Sequence, residues 1–158
     1  LRLPGRFLIQ NRNGEFAEVG SAAGVINKRF SISPLTADFN LDGAPDIVHV
    51  NLAGKSKAFL SQNETTNFVK IKLPNTSQSV GAMVKATLSD GRTLYRPFVK
   101  GEGLCSDSTS VITLGTGGAE ITDIAVTYLD GHVVNPTPSE SGSTITIDRE
   151  GNATAAEL

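Results

Sequence analysis

The sequence predicts an all-β protein, and three observations carry that. No stretch keeps a helical period over ten residues. Apolar residues alternate with polar ones in short runs, as in Val69, Ile71 and Leu73 or in Thr144-Ile145-Thr146-Ile147. Turn signals, Asn13-Gly14, Asp90-Gly91 and Asp130-Gly131 among them, punctuate these runs.

The elements follow in order. Residues 6–10 read as a strand, the Asn-Gly pair as its turn, and residues 15–19 as the return strand. Residues 20–29 form a loop with one helical turn at 21–24. Residues 31–37 are a strand weakened at its centre by Pro34. Residues 46–50 and 56–61 follow as strands around a Gly54-Lys55 turn. From Asn67 the style changes, with strands at 68–73, 80–88, 92–99, 108–114, 121–129, 132–134 and 143–147. The expected division is 1–64, then 65–150 as a small β-sandwich or barrel-like domain, then a flexible tail at 151–158.

Composition removes several classes of function. With 158 residues the chain makes one domain or two small ones. A net charge of −2 offers no basic field for nucleic acid. Two histidines and one cysteine exclude a Cys/His zinc site of the usual spacing. Cys105 has no partner for an internal disulfide and reads as a small hydrophobe. No apolar run approaches a membrane span. No signal peptide is visible and the first residue is Leu1, so the expectation is a mature start or a piece of a longer chain.

One stretch carries chemistry: Asp38-Phe39-Asn40-Leu41-Asp42-Gly43-Ala44-Pro45-Asp46. Oxygen-bearing side chains stand at relative positions one, three, five and nine, with glycine at six. Calcium is a hard cation that takes six to eight oxygens, and a tight turn brings alternate side chains onto one centre. An EF-hand needs a glutamate at position twelve between two helices; His49 stands there, inside a strand-like run. The expectation is therefore a Ca2+ loop feeding a strand. Asp38, Asn40, Asp42 and Asp46 are the side-chain ligands, and Ala44 supplies its carbonyl. The bland alternative is a turn rich in Asp and Asn that binds nothing.

These residues resemble known families. Phe7-Leu8-Ile9-Gln10-Asn11, Asn13-Gly14-Glu15-Phe16, Ala22-Ala23-Gly24-Val25 and the 37–48 stretch resemble an FG-GAP or VCBS-type repeat, a β-propeller blade unit. That resemblance implies propeller-blade-like antiparallel strands and the same calcium ligands. Val80-Gly81-Ala82-Met83-Val84, Asp90-Gly91, Arg96, Gly101-Glu102-Gly103-Leu104-Cys105-Ser106, Leu114-Gly115-Thr116-Gly117 and Val126-Thr127-Tyr128-Leu129-Asp130-Gly131 resemble the ASPIC/UnbV domain. That family more often has Trp-Pro where Tyr128-Leu129 stands. The order of the two modules is that of the cartilage acidic protein family and its bacterial relatives. About one blade is present where a propeller closes with four to eight, which implies missing blades or self-association.

Catalytic constellations are not visible. Ser79 and Ser106 lie in no nucleophile elbow, and Asp107, Asp123 and Asp130 make no acid–base pair by spacing. His49 reads as a half-buried, hydrogen-bonded strand residue and His132 as a solvated one. The glycine pieces at 101–103 and 115–118 precede no helix, so they read as turns. Sequons begin at Asn63, Asn75 and Asn152 and are compatible with secretion. The functional expectation is a non-enzymatic, extracellular or periplasmic calcium-binding module with a protein or glycan partner. The alternatives are an accessory domain of a carbohydrate-active or natural-product enzyme, and an adhesion or self-assembly element.

Overall fold

The structure, a computed structural model, describes residues 5–11, 13–42, 44–62, 68–101, 104, 107, 109–138 and 142–157. These residues contain thirteen strands and no helix. Gly43, Cys105, Ser106, the sequon at 63–65 and the expected boundary at 64–65 lie outside the described residues.

The first part is two small sheets. β1 (Leu8–Gln10) pairs antiparallel with β2 (Phe16–Glu18) around the Asn13-Gly14 turn, where Gly14 takes a φ of 85° that favours glycine. The Asn11 carboxamide oxygen accepts the amides of Asn13 and Glu15 and holds this tip. β3 (Ser31–Ala37), β4 (Asp46–Asn51) and β5 (Lys57–Phe59) form a meander in the order β3-β4-β5. Pro34 is tolerated because β3 is an edge strand, and the register shifts beside it, between Ser31 and Ser33.

The second part is built on two four-stranded sheets. One runs β11 (Val133–Val134), β10 (Ile121–Thr127), β7 (Met83–Leu88), β8 (Thr93–Pro97). The other runs β13 (Ala153–Glu157), β12 (Ser143–Ile147), β6 (Phe68–Lys72), β9 (Val111–Gly115). Their inner faces share one apolar core: Val69 and Ile71 on β6 and Ile145 and Ile147 on β12 meet Val84, Ala86, Ile124 and Val126 of the other sheet. The Asp90-Gly91 and Asp130-Gly131 tips turn as expected, each glycine at a φ of 84°.

Two features depart from the sequence reading. The tail expected to be flexible forms β13, which pairs with β12 over five residues, from Ser143 opposite Glu157 to Ile147 opposite Ala153. Its own residues are mostly small, so β12 imposes the strand through backbone bonds. The Asp148 carboxylate starts the turn by accepting the Asn152 amide and side-chain nitrogens. Further, β12 lies parallel to β6, Thr144 opposite Lys70 and Thr146 opposite Lys72, in an otherwise antiparallel fold.

β6 decides how the two parts meet. A strand with one wet face buries alternate residues, yet Phe68, Val69, Lys70 and Ile71 are all buried. Val69 and Ile71 enter the core, whereas Phe68 and Lys70 stand outside it, on the opposite face of the strand. The β3–β4 loop reaches Lys70 through Asp38 and covers this end of the outer face.

Candidate functional site

Residues 38–45 connect β3 to β4, and Ala37 pairs with Asp46 at the neck. Leu41 turns the loop with a φ of 61°, the left-handed region that bulky residues rarely enter. The Asp38 Oδ1 and the Asn40 Oδ1 both accept the Asp42 amide, at 3.1 and 3.4 Å, so two of the expected ligand oxygens converge on one point. Asp42 uses Oδ1 to accept the Ala44 amide at 2.9 Å and Oδ2 to accept the Asn40 side-chain nitrogen at 2.7 Å. Ala44 itself is buried.

Asp46 is 1% exposed. Its two oxygens accept the amides of Phe39 and Ser61, both at 2.8 Å. It therefore ties the start of the loop to the segment after β5. Such a buried carboxylate needs these donors, because desolvating its charge is costly. The second oxygen of Asp38 accepts a bond from the Lys70 ammonium at 2.5 Å, and both side chains are nearly buried. Each carboxylate oxygen of the three aspartates thus has a donor in this structure.

The structure brings Asp38, Asn40 and Asp42 together on one turn and sets Asp46 at its root. The donor chemistry fits a hard cation: carboxylate and amide oxygens, with no sulfur or imidazole among them. Among the described residues no three His, Cys, Asp or Glu side chains are gathered in ion-holding geometry. Lys70 was not legible as a partner of this loop. On an alternating strand it reads as a solvated lysine, and its acid lies 32 residues upstream.

Beside the ion pair a cleft of about 750 Å3 opens between the β3–β4 loop and the outer face of the β6 sheet. Asp38, Lys70, Lys72 and Arg96 contribute its charged lining, and Leu41 and Pro45 one lip.

Each remaining described candidate has packing or hydrogen-bond contacts of its own. His49 on β4 is half-buried, its Nδ1 lies 3.2 Å from the Ser31 hydroxyl, and Phe59 meets its ring edge-on. Burial, then the Lys57 charge, lowers its pKa below 6.5. Ser79 is buried and bonded to Thr76. His132 is exposed, but its Nε2 lies 2.9 Å from the Arg149 carbonyl and its ring stacks on Tyr128. Arg149 also pairs with Asp130 and lies over the Tyr128 ring. Asn27 was missed by sequence reasoning. It is 1% exposed and donates to the Asn51 side-chain oxygen at 2.8 Å, a polar tie inside the first part.

No curated protein matches the chain. The family model described as ASPIC and UnbV matches residues 72–155, which take in the two-sheet part from the end of β6 into β13. That span is more than half of the chain, and its strands supply most of the shared core, which Val69 and Ile71 of β6 complete; the chain belongs to the ASPIC and UnbV family.

Proposed function

We propose that the protein is a non-enzymatic calcium-binding β module of an extracellular or periplasmic compartment, in which the ion has a structural role. The observation that carries this reading is the 38–46 loop, where the oxygens of Asp38 and Asn40 already meet at one amide. Asp38, Asn40, Asp42 and Asp46 would supply side-chain oxygens and Ala44 its carbonyl, the pattern of an FG-GAP-type loop. The ion would supply the positive charge that such closely spaced carboxylates need. At Asp38 that charge now comes from Lys70, so calcium competes there with an internal ammonium. Such competition weakens binding, which suits a calcium-rich compartment, where modules bind with constants on the order of 10⁻⁴–10⁻³ M.

The exposed apolar side chains of the first part, Leu8, Ile9 and Phe16 on the outer hairpin among them, support a further element of the reading. Additional strands, from a longer chain or a second copy, cover this face as neighbouring blades would. Size-exclusion chromatography giving a strict monomer at all concentrations counts against the second copy.

Thermal unfolding tests the calcium assignment. The chain is measured in EDTA, in millimolar calcium and in millimolar magnesium. Calcium alone should raise the midpoint by one to a few degrees, since millimolar calcium is about one to ten times such a Kd and binding only the native state then adds about 0.4–1.4 kcal/mol. Asp42→Ala should remove the response. An unchanged midpoint, or a response that Asp42→Ala keeps, overturns the assignment.

A further inference from the structure

The cleft beside the Asp38–Lys70 pair has a composition that neither the core nor the loop explains. Its charged lining is three cations and one acid, in a chain whose net charge is −2. The acid, Asp38, is already neutralised by Lys70. Lys72 on β6 and Arg96 on β8 belong to different sheets yet line the same cavity. Both are exposed, and neither meets a carboxylate among the described residues. Two uncompensated cations in one concavity focus a positive field there.

The floor is set by strand register. Lys70 on β6 lies opposite Thr113 on β9 and Thr144 on β12, so the three side chains form one row across the outer face. The Thr113 and Thr144 hydroxyls have no hydrogen-bond partner among the described residues, and both line the cleft. Leu41, 73% exposed, and Pro45 form an apolar lip on the loop side. The volume, about 750 Å3, is within the range of small-ligand sites.

We propose that this cleft binds an acidic saccharide, a sugar carrying a carboxylate or a sulfate group. Lys72 and Arg96 take the anionic group, Arg96 through its guanidinium fork. Thr113 and Thr144 exchange hydrogen bonds with ring hydroxyls, and Leu41 and Pro45 pack on the C–H face of a ring. The free hydroxyls favour a polyhydroxylated ligand over an acidic peptide. The inference goes beyond the structural-calcium reading above: it names a ligand class and the residues that hold it, and it stands on the lining of the cleft.

Isothermal titration of the whole chain tests it, with a galacturonic acid trisaccharide, a sulfated chondroitin disaccharide, maltotriose and triglutamate as probes. One or both acidic sugars should bind saturably, and which one does so identifies carboxylate or sulfate as the anion. Maltotriose should give no heat. Raising sodium chloride from about 50 to about 300 mM should weaken binding several-fold. Lys72→Gln with Arg96→Gln should weaken it at least about tenfold, whereas Lys85→Gln, on the exposed face of β7, should not change it. The thermal midpoint of the double variant checks that it is folded. Absence of saturable heat from both acidic sugars overturns the proposal. So does binding that survives the double variant, or triglutamate binding as tightly as the sugars. Calcium-dependent unfolding is scored separately, so failure of the metal assignment and failure of this site give different results.

Discussion

The two parts of the chain are held together by different physics. Residues 69–147 contain the entire shared apolar core, including Ile71, Val84, Ile124 and Ile145 at 1% exposure or less. The described residues of 5–62 bury one apolar side chain, Ala44, and four polar or charged ones, Asn27, Ser33, Asp46 and Asn51. Eight of the thirteen exposed large hydrophobic residues among the described ones also lie there. Hydrophobic burial is the main favourable term in folding, so the second part carries the stability. The first part is ordered by directed bonds: the Asn27–Asn51 contact, the Asp46 carboxylate and the Asp38–Lys70 ion pair. The difference teaches where polar contacts matter most: the described residues of the first part bury little apolar surface and rest on directed bonds, one of which, Asp38–Lys70, reaches into the second part.

The largest expected effect comes from removing core volume. Ile71→Ala, at a fully buried position, should cost about 2–5 kcal/mol in urea unfolding. Phe16→Ser, on the exposed hairpin, should cost less than about 0.5 kcal/mol. Equal losses from the two would erase the contrast between the parts.

The next effect comes from the bridge between them. Lys70→Met leaves the Asp38 carboxylate buried without its cation, which costs on the order of 3 kcal/mol in the docking of the first part. Asp38→Asn combined with Lys70→Met should recover most of that loss, because no lone charge remains. Urea unfolding monitored by hydrogen exchange separates the outcomes. A double variant as unstable as the single one would mean that the pair contributes by shape and not by charge.

A smaller effect sharpens the polar character of the first part. The pKa of His49 is lowered by burial and then by Lys57. The unfolded chain therefore binds the proton more tightly than the folded one. Stability conferred by neutral His49 is complete above the unfolded value of about 6.5. It declines as pH falls below that value, toward the lowered folded one. His49→Gln should flatten the slope between about pH 7 and pH 5, read as the exchange protection of β4 amides. An unchanged slope would place the pH response elsewhere.

Much of this was legible in the sequence, and unevenly so. Strands of the second part announce themselves because core-facing residues alternate, as in Val69, Ile71 and Leu73 or Ile145 and Ile147. Asn-Gly and Asp-Gly tips mark the hairpins for the same local reason. β13 escaped notice because Ala153, Thr154, Ala155 and Ala156 carry no bulky alternation, and its strand state comes from the neighbouring β12 backbone. The parallel pairing of β6 with β12 joins segments some seventy residues apart, beyond the reach of local pattern. At the loop, the spacing of Asp38, Asn40, Asp42 and Asp46 was readable. That Lys70, Phe39 and Ser61 already satisfy its carboxylates was not, since each donor is fixed by tertiary packing. The cleft was hidden for a related reason: Lys72 and Arg96 come together only when two sheets and a loop meet.

Native-state hydrogen exchange tests the contrast between the two parts, comparing amides of β4 with amides of β6 and β10, in EDTA and in millimolar calcium. β4 amides should be weakly protected in EDTA and gain protection with calcium and not with magnesium, while β6 and β10 stay strongly protected throughout. Equal protection of both parts in EDTA, or a calcium gain spread evenly over both, would contradict it.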